Sequence, residues 1–120
     1  MPVEKFIDLE VWKEAHRLVL TIYRVTKSFP SEEKFGLVSQ MRRCAVSITS
    51  NIAEGFSRYS SGHKSQLYTV ALGSLTELTN QIYIARDVGF VLPETASKVL
   101  QQLGTVHRLL HGLLRSIRKR

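Results

Sequence analysis

The chain has 120 residues, 43% of them apolar and 22% charged, which suits one domain with a real core and leaves no room for a second. Its 17 Lys and Arg against 10 Asp and Glu give a formal charge of +7 and an isoelectric point near 9.9, so a phosphate-rich partner is plausible, although such an excess also serves solubility. The opening stretch MPVEKFIDLEVWKEAHRLVL interrupts every apolar run with a charge, no segment nears the ~20 apolar residues of a membrane span, and the single cysteine, Cys44, has no internal partner. A cytoplasmic protein with no membrane partner is expected.

Helical periodicity occurs four times. From Leu9 to Phe29 the positions Leu9, Trp12, Ala15, Val19, Ile22, Tyr23 and Phe29 recur at steps of three and four, with Asp8 as a candidate N-cap and Pro30 as a stop. Ser31 with Lys34 supplies only the N-cap half of a capping box for a second helix over about 33–56, whose apolar face is Leu37, Met41, Cys44, Ala45, Ile48 and Ile52, with Gly55 as its end. SRYSSGHKS, with four serines and Gly62, reads as a loop. A third helix, about 63–88, follows with Leu67, Ala71, Leu75, Leu78, Ile82 and Ala85, closed by Gly89. Pro93 and Glu94 suit the start of the last helix, about 94–118, where Ala96, Val99, Leu103, Val106, Leu110, Leu113 and Ile117 keep a heptad spacing.

Four helices of ~30 Å joined by short turns imply an all-α, up-and-down antiparallel bundle spanning 1–120 as one domain. Val11, Leu18 and Val25 lie on a line rotated from Trp12, and Leu109 adds to the fourth helix; such surplus apolar positions predict either a second subunit or a broad core stripe.

The segments VWKEAHRLVLTIYRVTKSFP, EEKFGLVSQMRRCAVSITSNIAEGFSR and ALGSLTELTNQIYIARDVGF together resemble the four-helix bundle proteins encoded by intervening sequences of bacterial 23S ribosomal RNA genes. The most specific strings are SNIAEG, FGL with Gln40, Arg42 and Arg43 behind it, and the GSL and EL pairing at 73–78; the C-terminal helix is only generically similar. That family is more distantly similar to the accessory proteins of diversity-generating retroelements, which form a basic barrel of five bundles and associate with a reverse transcriptase and nucleic acid. The resemblance implies a ring-like homo-oligomer, a homopentamer, in the cytoplasm, with no known catalytic activity.

On a continuous second helix, Gln40, Arg43, Ser47, Asn51, Glu54 and Arg58 form a polar ridge opposite the apolar stripe. Glu54 and Arg58 are spaced for an ion pair, and Asn51 can bond backbone or a neighbouring helix, so the ridge is expected to close the fold; a lone carboxylate without a second acid, a metal ligand or an activated nucleophile performs no reaction. His107 and His111 have the i,i+4 spacing of a zinc pair, but no Glu follows His107 and no Cys or Asp is near in sequence, so no metal and no cofactor are assigned. Nucleophile-elbow, P-loop and dinucleotide patterns are absent, which argues against an enzyme.

No acid follows Glu94, while Lys98, Arg108, Arg115, Arg118, Lys119 and Arg120 accumulate; Arg42, Arg43, Arg58 and Lys64 add charge around the second and third helices. These residues are the expected nucleic-acid contacts, read through phosphate and shape because no RNA- or DNA-reading motif is present. A solvated basic face with no ligand fits the charge as well. The leading expectation is a nonenzymatic RNA- or DNA-associated oligomer. The alternative is a protein-interaction scaffold, for a reverse transcriptase for example, and a metal-dependent enzyme at the histidines is the third.

Overall fold

The computed structural model describes residues 3–118. Four helices, α1 (Glu10–Thr26), α2 (Leu37–Ser57), α3 (Ser61–Asp87) and α4 (Pro93–Arg118), account for most of them, with 3-10 turns at Phe6–Asp8 and Ser31–Glu33 and no strand among the described residues. Each helix packs on its neighbours in sequence and α4 closes against α1, whereas the backbones of the diagonal pairs stay more than 8 Å apart, Cα to Cα. Because the connections are short, adjacent helices must run antiparallel, and the result is an elongated bundle of 46 × 25 × 22 Å.

The core is a continuous column of small and branched side chains: Val11, Ala15, Leu18 and Ile22 from α1, Met41, Ala45, Ile48 and Ile52 from α2, Ala71, Leu75, Leu78 and Ile82 from α3, and Val99, Leu103, Val106 and Leu110 from α4. On α1 this rotates the expected stripe. Val11 and Leu18 are core residues, Trp12 and Val19 flank them, Tyr23 is exposed, and Val25 and Leu109 are half-buried against the core. The line read as surplus is therefore internal. The apolar side chains that do remain exposed include Leu20, Val46, Val70, Ile84 and Val88. On α4 the seam also shifts near its end, with Leu114 buried and Leu113 only half-buried. A strict heptad drifts ~20° per repeat around a straight helix, so after two heptads the next residue takes the inward position.

Helix ends depart from the sequence reading in several places. Asp8 does not cap α1; its carboxylate accepts from the Lys5 amide at 3.3 Å and closes the preceding turn, while Leu9 is the uncapped N-cap. Helix α1 stops at Thr26, and Phe29 folds back from the turn to sit 5.5 Å from the Phe90 ring. Helix α2 begins at Leu37, whose amide donates to Glu33 Oε1 at 3.2 Å. The serine-rich loop is short, because Ser60 Oγ accepts from the His63 amide at 3.1 Å and α3 starts at Ser61.

Gly89 does terminate α3, with φ of 88°. The Phe90 amide reaches Ala85 O at 2.9 Å and the Gly89 amide reaches Arg86 O at 3.1 Å, which satisfies two terminal carbonyls. Gly55, by contrast, lies inside α2 and is buried. Its role is packing. No helix among the described residues is long and apolar enough to cross a membrane.

Candidate nucleic-acid interface

The last turns of α4 carry Arg108, Arg115 and Arg118, all exposed. Arg108 and Arg115 are seven residues apart and so share one side of the helix about two turns, ~10 Å, from each other. No carboxylate pairs with these three among the described residues. Their charge also complements the negative end of the helix dipole. Lys119 and Arg120 lie outside the described residues.

The α2–α3 turn meets this same end of the bundle: Phe56, Lys64, Tyr68, Leu113 and Ile117 line one shallow depression together with Val3 and Leu9. Arg58 leaves α2 here and approaches Glu54 only to 4.0 Å, with both side chains more than half exposed, so its guanidinium stays open to an external anion. Lys64 is committed inward. Its Nζ donates to Phe56 O at 2.8 Å and Gly55 O at 3.2 Å and lies over the Phe56 ring, 5.4 Å from its centroid, capping the carbonyl end of α2.

Arg42 is committed in the same sense at the opposite end. Its Nε donates to Thr26 Oγ1 at 2.9 Å, its Nη2 to Tyr23 O at 3.3 Å, and its guanidinium covers the Tyr23 ring at 4.6 Å. Thr26 Oγ1 in turn donates to Ile22 O at 2.7 Å, so the arginine fastens α2 to the last turn of α1. Arg43, one position further round, is exposed and has no carboxylate partner among the described residues. The expected cation set therefore divides: Arg43, Arg58, Arg108, Arg115 and Arg118 face solvent, whereas Arg42 and Lys64 hold helices together.

The polar ridge of α2 also divides. Gln40, Glu54 and Arg58 are exposed, but Asn51 and Ser47 turn into the seam with α3. Asn51 Nδ2 donates to Ser47 O at 2.8 Å and to Ser47 Oγ at 3.2 Å, and Ser47 Oγ meets Ser74 Oγ at 2.9 Å. Cys44 Sγ donates to Ser74 O at 2.9 Å. Burial, with the negative charge and hydrogen bonding of Glu77 added, pushes the Cys44 thiol up to about 12. A thiol held neutral in this way is neither a nucleophile nor a soft metal ligand at ordinary pH. Ser74 and Glu77, which complete this seam, lie in the GSL and EL strings that carry the resemblance, but nothing in their spacing announced which helix they would face.

His107 and His111 converge on the α3 side of α4, with Nε2 atoms 3.3 Å apart. His107 borders a groove of about 240 Å³ shared with Thr79, Tyr83, Leu100 and Gly104. No group of three or more His, Cys, Asp and Glu side chains is gathered anywhere among the described residues.

Residues 7–112 match the family model of the 23S rRNA-intervening sequence proteins. The chain belongs to that family. The 23S rRNA-intervening sequence fold is also found in a crystal structure from Bacteroides thetaiotaomicron, a protein of unknown function from the S23 ribosomal protein family. It superposes with a TM-score of 0.81 at 19% identity, covering 88% of this chain and 95% of that one, a likeness of fold. No curated protein matches the chain. For this member of the family the bundle frame is thus fixed, and the exposed cations are what distinguishes one surface of it from another.

Proposed function

We propose that this 23S rRNA-intervening sequence protein is a nonenzymatic, cytoplasmic nucleic-acid-binding module that contacts RNA phosphates as a homopentamer. The observation that carries the reading is the acid-free second half of α4, where Arg108, Arg115 and Arg118 are exposed without a carboxylate partner among the described residues, at the bundle end where Arg58 is exposed too. Guanidinium groups are suited to phosphate by their forked donors, and a ring of copies multiplies the field of each +7 chain. DNA is expected to bind comparably, since phosphate contacts do not read bases.

Fluorescence anisotropy of labelled RNA over a salt series tests this. Affinity falls with salt at a log-log slope of about −0.7 to −0.9 per phosphate contact. The combined change Arg115→Ser, Arg118→Gln, Lys119→Gln and Arg120→Ser weakens binding across sequences and leaves helix content intact. Absence of binding at low salt, or tight binding indifferent to salt and to these changes, rejects the mechanism.

One observation favours the scaffold reading as the second choice. Phe35, 88% exposed, and Leu92, 65% exposed, occupy turns at the bundle end opposite the α4 cations, with Val88 at the same end. Apolar side chains displayed in turns suit a protein partner such as a reverse transcriptase. Co-purification that survives nuclease but is lost on Phe35→Ser with Leu92→Ser would favour it over direct RNA contact.

A further inference from the structure

Four histidines occur in the chain, and two of them have ordinary surroundings: His16 stacks on Trp12 with ring centroids 4.7 Å apart, and His63 sits in the first turn of α3. His107 and His111 differ. Their ring centroids are 4.4 Å apart but their Nε2 atoms only 3.3 Å, so the two rings lean together at the nitrogen edge, one turn apart on α4. We propose that His107 and His111 form a bidentate site for one borderline divalent transition cation, of the Zn²⁺, Ni²⁺ and Cu²⁺ class.

The geometry admits a chelate. At 3.3 Å the nitrogens can share a long hydrogen bond when one carries the proton, and the same separation suits two lone pairs on one ion. An ion about 2.0–2.1 Å from each nitrogen subtends roughly 104–111° between them, the bite of a tetrahedral site. Both rings then present Nε2 lone pairs and carry their protons on Nδ1, the tautomer water can stabilise at an exposed position. Space for a hydrated ion exists as well. Gly104, one turn before His107, would place a Cβ with nothing within 4 Å, and His107 itself is exposed.

No third His, Cys, Asp or Glu groups with the pair among the described residues, so water fills the remaining positions. Such an open site exchanges its ion and can accept an outside oxygen or nitrogen donor, unlike a closed structural zinc site. Arg108 and Arg115 on the same helix oppose the added charge, which keeps affinity below that of a four-ligand site; both guanidinium groups are in water, where screening limits the opposition. This inference stands apart from the RNA reading, since neither cation binding nor its test requires nucleic acid.

Isothermal titration of the metal-free protein with NiCl₂, ZnCl₂ and CuCl₂ in a non-chelating buffer tests it. One ion per chain is expected, with Cu²⁺ bound more tightly than Ni²⁺ or Zn²⁺, and Mn²⁺ weakest. His107→Ala or His111→Ala weakens binding at least about tenfold, since loss of a mere supporting contact in a metal site already costs that much. The double change His16→Ala with His63→Ala leaves it intact. Circular dichroism confirms that each variant is folded; should His111→Ala not fold, the exposed His107→Ala decides alone. Lack of saturable binding, or binding that survives His107→Ala, overturns the proposal.

Discussion

The ring of Tyr68 is packed against the bare backbone of Gly55, so close that a Cβ built on the glycine would stand 2.5 Å from Cε1 and 2.8 Å from Cδ1. Tyr68 is itself buried, which raises its phenol above the ordinary range, and a ring pushed off the glycine could move only by filling the shallow depression it lines with Phe56 and Leu113. This contact sets how closely α2 and α3 approach at the cationic end. Gly55→Ala is expected to lower stability by about 1–2 kcal/mol, because overpacking outweighs the ~1 kcal/mol gain in helix propensity. Gly73→Ala, where a Cβ meets nothing within 4 Å, should instead gain about 0.5–1 kcal/mol. Urea denaturation of the pair reads the difference, and equal effects would remove the packing explanation.

Arg42 and Arg115 make a second contrast. Arg42→Lys keeps the charge but loses the forked contact to Thr26 and Tyr23, and should cost about 1–2 kcal/mol of stability with little change in RNA affinity. Arg115→Lys, at an exposed position, should leave stability unchanged within about 0.5 kcal/mol. Thermal melts and anisotropy on both variants check the division between cations that hold helices and cations that face solvent.

That division was not legible in the sequence, and the reason is tertiary. Arg42 and Lys64 look like any surface cation until Thr26 and the end of α2 are brought beside them. The fold itself was legible because four apolar stripes of period three to four admit few arrangements. Rotational details were less so: Trp12 and Val11 begin equally regular lines on α1, and only the neighbouring helices decide which faces in. Gly55 misled for a related reason, since a glycine near a helix end signals a cap or a close approach with the same letter. Among the candidate site residues, Arg43, Arg58, Arg108, Arg115 and Arg118 lie in solvent, while Asn51 bonds to Ser47, which meets Ser74 in turn, a chain of contacts that spacing alone left open.

Cys44 should be inert in the native protein. With its thiol moved from an ordinary 9.0 to about 12, the thiolate fraction at pH 8 falls by about 10³, and alkylation by iodoacetamide should be correspondingly slow until denaturant is added. The folded value lies above the unfolded one, so the associated stability is present below pH 9.0 and is lost as pH rises toward about 12. Cys44→Ala should flatten that alkaline loss in denaturation curves taken across the same window. Alkylation at the unfolded rate would contradict the buried, neutral thiol.

Assembly can be tested on α3. Val70 and Val88 are eighteen residues apart, five full turns, with Ile84 close to the same line, and all three are exposed. If the pentamer uses this strip, native mass spectrometry shows five copies for the parent chain and a monomer for Val70→Glu with Ile84→Glu, with helical circular dichroism preserved in both. A parent chain that stays monomeric at low micromolar concentration would end the pentamer proposal.

Because α4 packs on α1 and each other helix packs on its neighbours in sequence, the contacts between helices form a closed circuit with no privileged first member. Val3 and Ile117 even border the same depression. A short linker across that gap, with the chain reopened beside the fully exposed Tyr59, would deliver the order α3, α4, α1, α2 and rebuild the same four interfaces. The four interfaces thus fix which helices are neighbours around the circuit, and leave free the order in which a chain visits them.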